Sequence, residues 1–347
     1  MGVAISSLIE ASEIKIEQLQ GKIIAVDAMN MVYQFITTIR QHDGTPLKDS
    51  KGRVTSHLTG LFSRCTRLMQ KGLKLVFVFD GKMPALKKEE RARRDALKLK
   101  AIASFEEAKE SQDVEGMKKF AGRSARVTPD ILRESKELLA ALGIPVIQAP
   151  SEGEAQAAHM VNRGDCDIVA SQDFDCLIYG AKQFVRNLSI SQKRKKINAL
   201  TYKVVLPEVL TLKDTLHKLD LNLDQLRALA MLIGTDFNVG GVKGLGPKKG
   251  IALVKEFGND FPALFQKVEF EKHATAPWED IFDTIKNIPT TDNYTLEWHD
   301  INKEQLIKLL VEEHDFSQER VDNAMKNLED AKHKTQQTSL GKFLKKN

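Results

Sequence analysis

Three short apolar runs of this chain each end in an aspartate or lead to one within a few residues. Runs of this length that alternate with helical patterns predict buried strands in a parallel or mixed sheet covered by helices. Because the carboxyl ends of parallel strands meet along one edge of a sheet, these acids are expected to converge in one crevice. The acids are Asp27 after KIIAV, Asp80 after LVFVF, and Asp173 shortly after DIVA.

Four further acids are expected near the same edge. Glu152 and Glu154 follow the strand-like run PVIQA, and Asp236 ends an apolar helix. Asp175 lies two residues beyond Asp173, so an extended chain would direct both side chains to one face. Carboxylates gathered in this way repel one another and take up protons unless cations compensate. Oxygen ligands without a His or Cys cluster favour Mg²⁺ or Mn²⁺ over zinc, and two such ions about 3.5 to 4 Å apart catalyse phosphodiester hydrolysis.

Each acid also has an ordinary structural interpretation. An aspartate after a strand commonly caps the next helix, and Ser151 with Glu154 fits a capping box. The D-x-D pair around Phe174 is also typical of aspartyl-phosphate phosphotransferases, although these carry Thr or Val where Leu177 stands. Capping explains single acids but not the coincidence of all seven, which favours the metal interpretation.

The composition limits the classes of protein that remain. The chain has 347 residues, 42% of them hydrophobic and 29% charged, enough for one large domain or two modest ones. No run approaches the about 18 to 20 apolar residues of a membrane helix, and the first residues do not form a secretion signal. Cys65, Cys166 and Cys176 lack CxxC spacing, so neither a disulfide framework nor a zinc site is expected. A protein of a reducing compartment without membrane attachment is the natural expectation.

Basic residues are concentrated in two segments. The net charge is only +5, but residues 82–100 contain eight basic residues against three acids, and residues 189–205 contain a second basic cluster without any acid. Either segment alone is more often a solvated surface. Together they favour a polyanion such as nucleic acid as partner, because phosphate contacts dominate that kind of affinity. The basic residues expected to contact DNA in these segments are Lys82, Arg91, Lys193 and Arg194.

Helical patterns occupy most of the remaining chain. Residues 55–71 and 129–142 are expected to form helices between the strands. Residues 81–127 form a long insertion with helical propensity but little core-like apolar periodicity, so we expect it to project from the globule. After about Leu206 the pattern becomes purely helical, and from Lys332 onward the polar, basic sequence predicts a mobile tail.

A glycine-dense turn within residues 239–250 joins two of the later helices. A dinucleotide-binding loop is excluded because a helix, and not a strand, precedes the glycines. Gly244 and Gly246 would let backbone amides approach a phosphate, and the helix that begins at Pro247 would hold it with Lys248 and Lys249. Such a hairpin grips duplex backbone without reading sequence. An ordinary connection between helices is the simpler alternative.

Seven blocks of sequence together resemble the flap endonucleases of the structure-specific 5′ nuclease family over nearly the full length. The blocks are MGVAISSLI, VDAMNMVYQF, VFVFDGKMPALK, APSEGEAQAAHM, SQDFDCLIYGA, LIGTDFNVGGVKGLGPKKG and QTSLGKFL. The resemblance implies a PIN-like α/β nuclease core with a central mixed, mostly parallel sheet flanked by helices, a helical arch and a C-terminal helix-hairpin-helix region. It implies endonuclease and 5′-3′ exonuclease cleavage of branched DNA with a 5′ flap, in Okazaki fragment maturation and repair, with 5′-phosphate products.

The resemblance also implies roles for individual residues. Lys87 and Arg94, at the base of the arch, would steer the scissile phosphate, and Tyr33 would stack on a base near the site. The glycine turn corresponds to the helix-hairpin-helix element, which commonly holds K⁺ beside duplex DNA. Two Mg²⁺ ions, for which Mn²⁺ can substitute, would be held directly or through water by Asp27, Asp80, Glu152, Glu154, Asp173, Asp175 and Asp236.

The end of the chain resembles a sliding-clamp binding box. Its side chains follow the spacing i, i+3, i+6 and i+7, which presents one face of a short helical turn to a partner. The residue at the last position is Leu344, where an aromatic is frequent, so the expected affinity for a clamp is reduced. The box consists of Gln337, Leu340, Phe343 and Leu344.

These expectations divide the chain into five regions. They are a nuclease region with the start of the arch at 1–100, the rest of the arch at 101–127, an internal nuclease region with the helix-hairpin-helix at 128–260, a helical region at 261–331 and a tail at 332–347. The brevity of the tail is more typical of archaeal than of eukaryotic members. A monomeric, cytoplasmic and nucleoid-associated protein is therefore expected, or a nuclear one from a eukaryotic source. The alternative function is a noncatalytic junction and clamp adaptor, which has no need of the seven acids.

Overall fold

The structure is a computed structural model that describes residues 5, 7–188, 193–195 and 202–344. For residues 193–195, 202–204 and 333–344 it describes the backbone alone. The strands are β1 Ser12–Glu13, β2 Ile23–Asp27, β3 Lys74–Phe79, β4 Val146–Gln148, β5 Ile168–Ala170, β6 Gln183–Arg186, β7 Lys193–Lys195, β8 Tyr202–Val204 and β9 Glu208–Thr211.

Helices cover the sheet and extend beyond it, with short 3₁₀ turns at Ile16–Leu19, Ala85–Lys87 and Phe270–Lys272 and a π-helical segment at Ile307–Glu313. The α-helices are α1 Ala28–Thr38, α2 Ser56–Gln70, α3 Lys88–Glu110, α4 Val114–Ala121, α5 Pro129–Ala141, α6 Gly153–Arg163, α7 Asp175–Ile178, α8 Leu212–Leu219, α9 Leu223–Ile233, α10 Pro247–Phe257, α11 Phe261–Lys267, α12 Trp278–Lys286, α13 Lys303–Leu306 and α14 Gln318–Leu344. In the described part of the chain, no helix combines the length and apolar character needed to cross a membrane.

The central sheet has the strand order β1-β9-β6-β5-β2-β3-β4. The strands from β6 to β4 pair in parallel, whereas β9 pairs antiparallel with both β6 and β1. The central strand β2 is buried over Ile24, Ala25 and Val26, as expected for a parallel strand covered on both faces. The predicted mixed, mostly parallel sheet flanked by helices is confirmed.

Alternate residues of the central strands enter two separate cores. Leu75, Phe77 and Phe79 pack with helices α1, α2 and α5 on one face of the sheet. Val76 and Val78 pack with α6 and α9 on the other. This period of two follows from strand geometry. Because apolar contacts fix β3 on both faces, the position at which the strand ends, and hence the position of Asp80, is fixed with it.

One feature of the sheet differs from the sequence prediction. The chain after about Leu206 is not purely helical, because Glu208–Thr211 forms β9. This strand registers against β6 through Phe184↔Leu210 and Val185↔Val209. The run is only four residues long and continues directly into α8, so the helical pattern beside it obscures the strand signal. The strand lies between β6 and the edge strand β1 and pairs with both.

The insertion after β3 does not project freely. Helices α3 and α4 meet through a small cluster of Phe105, Ala108, Met117 and Ala121. The end of α4 then packs against the segment after α1, where a methyl group on Gly44 would lie 3.1 Å from Ala121 Cβ. The insertion, defined here as the arch (residues 81–127), therefore leaves the sheet at β3 and returns beside α1.

Helix α14 continues from the globular region into the segment for which a mobile tail was predicted. Val321, Met325 and Leu328 on its first turns are buried in the core that contains α2. The backbone stays helical to Leu344. The side chains of the predicted clamp-binding box lie outside the described residues, and the five-region division of the chain remains a prediction.

Replacing Gly81 by alanine should destabilise the fold. The amide of Gly81 donates to the Ser151 carbonyl at 2.6 Å, and an added Cβ would lie 2.0 Å from the Ala149 carbonyl oxygen. We expect a loss of about 1 to 3 kcal/mol in the free energy of unfolding, measured with urea. Gly122→Ala is the matched control, since the nearest atom to its added methyl group is 3.9 Å away. Equal stabilities of the two variants would contradict this account.

Candidate active site

Asp27 ends strand β2 and also caps the following helix. Its Oδ1 accepts a hydrogen bond from the Asn30 amide at 3.0 Å, and its Oδ2 accepts one from the Ser171 hydroxyl at 3.3 Å. The side chain is buried, with 6% of the residue exposed. Asp27 can therefore both cap helix α1 and belong to the predicted site, because the cap uses only one of its two carboxylate oxygens.

Asp80 directly follows strand β3, and Glu152 lies between the neighbouring strand β4 and helix α6. Asp80 Oδ1 accepts a hydrogen bond from the Gly153 amide at 2.7 Å, at the N-terminus of α6. The capping box predicted for Ser151 and Glu154 is not formed, because Glu152 is the N-cap residue and makes no side-chain cap. Glu154 instead points to β5, where its Oε1 accepts from the Ser171 hydroxyl at 2.5 Å.

Asp173 and Asp175 reach the site by a different route from the one predicted. The chain leaves β5 at Ala170, and Asp175 begins the short helix α7, so the stretch between the two acids is not extended. Both carboxylates nevertheless act electrostatically on Glu154. Asn30 Nδ2 donates to Asp173 Oδ2 at 3.2 Å and orients that side chain.

Mutual repulsion couples the acids of the crevice. Burial, followed by the charges of Asp80 and Asp173, raises the pKa of Asp27 to about 8. Burial and the charge of Glu152 raise the pKa of Asp80 to about 6. Burial, then Asp27, Asp175 and Asp173, raise the pKa of Glu154 well above its usual value. The six carboxylates therefore face one another across a single crevice, which we call the acid crevice.

Two cations of the arch join Asp236, the seventh acid, to this group. Lys87 Nζ lies 2.6 Å from Glu152 Oε2 and 3.4 Å from Asp236 Oδ2. Arg94 Nη2 lies 2.6 Å from Asp236 Oδ1. Lys87 also lies over the Phe237 ring, 5.0 Å from its centroid. The base of the arch is thus held to the crevice through Glu152 and Asp236.

The donor chemistry of the crevice fits a hard divalent cation. The acids supply carboxylate oxygens, and three of them have pKa values raised by burial and by their neighbours, so added positive charge would relieve the repulsion. Within the described residues, no three His, Cys, Asp or Glu side chains already surround the position of an ion. In this arrangement Lys87 forms an ion pair with Glu152, and Arg94 forms one with Asp236. The roles of the acids as metal ligands remain a prediction.

Three of the other residues predicted to contact DNA, Tyr33, Lys82 and Arg91, lie on exposed surfaces. Tyr33 on α1 is 38% exposed, and Lys98 of the arch lies over its ring at 5.7 Å from the centroid. Lys82 is exposed beside the crevice, and Arg91 on α3 pairs with Asp95 at 3.8 Å. Lys193 and Arg194 lie in β7 of the β7-β8 hairpin, where the side chains are outside the described residues.

The glycine turn connects α9 to α10 as predicted for a hairpin of helices. Gly244 has φ +85°, which favours glycine, and Gly246 is the N-cap residue of α10. No side chain caps this helix, so its first amides are available to an anion. Lys248 and Lys249 are exposed in its first turn.

Three residues that support the site were not found by the sequence analysis. The Ser171 hydroxyl oxygen lies 2.5 Å from Glu154 Oε1 and 3.3 Å from Asp27 Oδ2, and it accepts from the Asp173 amide at 3.2 Å. Asn30 holds Asp173, and Glu90 binds Arg94. Ser171 directly follows the DIVA strand, a position that could have drawn attention to it. Asn30 and Glu90 carry no comparable signal, because each meets its partner only in the folded chain or on a helix rich in charge.

Comparison with known proteins identifies the family. The model of the XPG N-terminal domain matches residues 1–101, and that of the XPG I-region matches residues 143–236. Flap endonuclease 1 of Pyrococcus abyssi is 46% identical over 348 residues, covering 100% of this chain and 99% of that protein. The chain belongs to the flap endonuclease 1 family. The Pyrococcus furiosus flap endonuclease 1 is 44% identical over 346 residues, with both chains fully covered.

Solved structures agree with this assignment. Flap endonuclease-1 from Methanococcus jannaschii has a TM-score of 0.75 at 37% identity, over 95% of this chain and 98% of that one. The catalytic core of Rad2 in complex with DNA substrate (complex III) has a TM-score of 0.68 at 25% identity, over 92% and 96%. The family, nuclease fold and activity inferred from the resemblance are confirmed. This flap endonuclease is a structure-specific, metal-dependent DNA hydrolase of replication and repair.

Replacing Asp27 by asparagine should stabilise the metal-free enzyme, and more at pH 8 than at pH 5. Because the folded-state pKa of Asp27 is raised to about 8, its contribution to stability is complete below about pH 4 and is lost as the pH rises toward 8. Asparagine keeps the helix cap without the charge. We expect a gain of about 2 kcal/mol at pH 8, measured by urea unfolding with EDTA. A gain that is the same at both pH values would show that ionisation is not its cause.

Proposed function

We propose that this flap endonuclease hydrolyses a phosphodiester near the junction of single and double strands at the acid crevice, and that it also acts as a 5′-3′ exonuclease. The observation that carries the proposal is a crevice of carboxylates that raise one another's pKa, with Lys87 at Glu152 and Arg94 at Asp236 on its border. Acids alone would repel a phosphate, whereas acids with adjacent cations suit a reaction that needs both metal and phosphate. The products would carry a 5′ phosphate, as required in Okazaki fragment maturation.

The acids are proposed to hold two Mg²⁺, for which Mn²⁺ can substitute. Asp27, Asp80 and Glu154 would be direct or water-mediated ligands together with Glu152, Asp173, Asp175 and Asp236. A bound pair of such ions supplies activation of the attacking water and charge stabilisation of the leaving oxygen. Ser171 and Asn30 hold three of the ligands in place, which limits the reorganisation that binding requires.

Lys87 and Arg94 are proposed to bind the scissile phosphate. Burial lowers the pKa of Lys87, but the charges of Glu152 and Asp236 outweigh it, so the pKa lies above its usual value and the amine keeps its proton. Arg94 presents a planar set of donors that suits phosphate oxygens. Both side chains would exchange a carboxylate partner for the phosphate when substrate enters.

The arch and the glycine turn are proposed to bind different parts of the substrate. The 5′ single strand would pass through or under the arch, where Tyr33 would stack on a base. The duplex would lie across the N-terminus of α10, with K⁺ as a candidate ion at the helix-hairpin-helix. The structure of Rad2 with DNA substrate supports binding of DNA by this fold, and the contacts of Lys82, Arg91, Lys193 and Arg194 remain proposals.

Replacing Asp173 or Asp80 by alanine should abolish cleavage while flap binding persists. Each change removes a proposed metal ligand, so we expect at least about a thousandfold loss in the single-turnover rate on a 5′-flap oligonucleotide. Binding of the same oligonucleotide in Ca²⁺ should change little. Asp167→Asn is the control, because Asp167 precedes β5 and pairs with Lys22 at 2.8 Å, away from the carboxyl ends of the strands. Retained cleavage in Asp173→Ala would overturn the metal assignment. Absence of cleavage in the unaltered protein with Mg²⁺ would favour the adaptor alternative.

Replacing Lys248 and Lys249 together by alanine should weaken binding of every duplex to a similar degree. Loss of two phosphate contacts should make the negative slope of log K against the logarithm of the salt concentration shallower by about 1.8. Lys255→Ala is the matched control on the same helix, where Lys255 lies near the C-terminus and pairs with Asp220 at 3.4 Å. The measurement is fluorescence anisotropy between 50 and 200 mM salt, in roughly the range where such slopes are resolved. An unchanged slope would remove α10 from the duplex interface.

The remaining proposals concern partners and location. Gln337, Leu340, Phe343 and Leu344 would bind a sliding clamp, and the spacing of these residues in the sequence is what supports this. The enzyme is proposed to act as a monomer and to be cytoplasmic, in association with the nucleoid.

A further inference from the structure

Helix α3 of the arch contains one buried carboxylate near its beginning. Glu90 is 5% exposed, although the charged residues around it, Glu89 and Arg91, are exposed. A buried carboxylate is retained only where partners compensate its loss of hydration. Glu90 belongs neither to the acid crevice nor to the small core of the arch, so its burial needs another explanation.

Two arginines of the same helix bind both oxygens of Glu90. Arg93 donates from Nε to Oε2 at 2.7 Å and from Nη2 to Oε1 at 3.0 Å. Arg94 donates from Nε to Oε1 at 2.6 Å. Burial acts to raise the pKa of Glu90, but the hydrogen bonds from both arginines outweigh it and lower the pKa. Glu90 is therefore ionised and held rigidly by Arg93.

Arg94 uses different edges of its guanidinium for its two partners. While Nε binds Glu90, Nη2 reaches Asp236 Oδ1 at 2.6 Å. An arginine side chain is long and flexible, but its guanidinium is planar, so a fixed Nε–H direction also fixes the direction of the terminal nitrogens. The sequence of contacts runs from Arg93 through Glu90 and Arg94 to Asp236 in the acid crevice.

We propose that Glu90 is a positioning residue that orients Arg94 toward the scissile phosphate. The proposal rests on the role proposed above for Arg94. When a phosphate takes the place of Asp236, the Arg94 Nε bond to Glu90 persists and the terminal nitrogens stay directed into the crevice. The guanidinium thus requires less ordering at the moment of reaction, which is the usual benefit of a preorganised contact.

A second pair on α3 shows what an ordinary helix pair looks like. Arg91 and Asp95 are separated by four residues, with 3.8 Å between Nε and Oδ2 and side chains 66% and 57% exposed. Such an exposed pair contributes little and orients nothing. Asp95→Asn removes one negative charge from the same helix, as Glu90→Gln does. It is therefore a matched control for Glu90→Gln.

The test compares Glu90→Gln, Arg94→Ala and the double variant on a 5′-flap oligonucleotide in Mg²⁺. Glu90→Gln should lower kcat and the single-turnover rate about tenfold and leave KM nearly unchanged, because Arg94 is misdirected and not removed. Asp95→Asn should change the rate less than about twofold. The double variant should be no slower than Arg94→Ala, since a positioning residue has no effect once its target is absent.

The results distinguish a failure of the proposed role of Glu90 from a failure of the proposed role of Arg94. If Arg94→Ala cleaves at the wild-type rate, the proposed role of Arg94 fails and Glu90 has nothing to orient. If Arg94→Ala is slow but Glu90→Gln is not, Glu90 is not a positioning residue. Rate losses that multiply in the double variant would assign Glu90 an independent structural effect and overturn the proposal.

A second variant covers the case in which Glu90→Gln loosens the arch. Limited proteolysis within residues 88–110 should be the same for Glu90→Gln and Asp95→Asn. If the protease cuts Glu90→Gln faster, Glu90→Asp is used in its place. Aspartate keeps the negative charge but is one methylene shorter, so it would draw the Arg94 guanidinium away from the acid crevice. A slower single-turnover rate in Glu90→Asp with an intact arch supports the proposal, and a wild-type rate overturns it.

Discussion

The gathering of carboxylates in one crevice, where they lose hydration and repel one another, is the constraint on which the organisation of this site depends. Asp27 ends strand β2, Asp80 directly follows β3, and Glu154 lies in the first turn of α6. The apolar cores hold these elements in place, so the three acids cannot move apart. Burial, followed by the charges of the neighbouring acids, raises the pKa of all three groups. Added positive charge would relieve the repulsion, and the binding of divalent cations in the crevice remains a proposal.

The arch supplies positive charge to the other side of the same crevice. It is held at two places, through Lys87 and Arg94 at its base and through the contact of α4 with the segment at Gly44. The central part of α3 carries exposed Leu97 and Leu99 and few buried residues. The insertion is anchored at both ends, and the cluster of Phe105, Ala108, Met117 and Ala121 is its small core. Passage of the 5′ single strand through or under the arch remains a proposal.

Part of this arrangement could be predicted from the chain. Asp27, Asp80, Glu152 and Asp173 were predicted because each follows an apolar run, and parallel strands bring their ends together. Strand β9 was missed because its four residues merge with α8. The condition of an extended chain between Asp173 and Asp175 is not met, since α7 begins at Asp175 and that acid lies in a helical turn. Local periodicity does not reveal where a strand stops within two or three residues.

The sequence by itself determined the fold class, the family and the set of acids, because strand periodicity, apolar runs and motif blocks are local properties of the chain. Only the tertiary structure decided which carboxylate faces which cation. Glu152 with Lys87, Asp236 with Arg94, and Asp173 with Asn30 are pairs separated by 65, 142 and 143 residues. Such pairs form because the sheet and the arch bring distant segments within hydrogen-bond reach, and no pattern along the chain encodes distances between side chains so far apart.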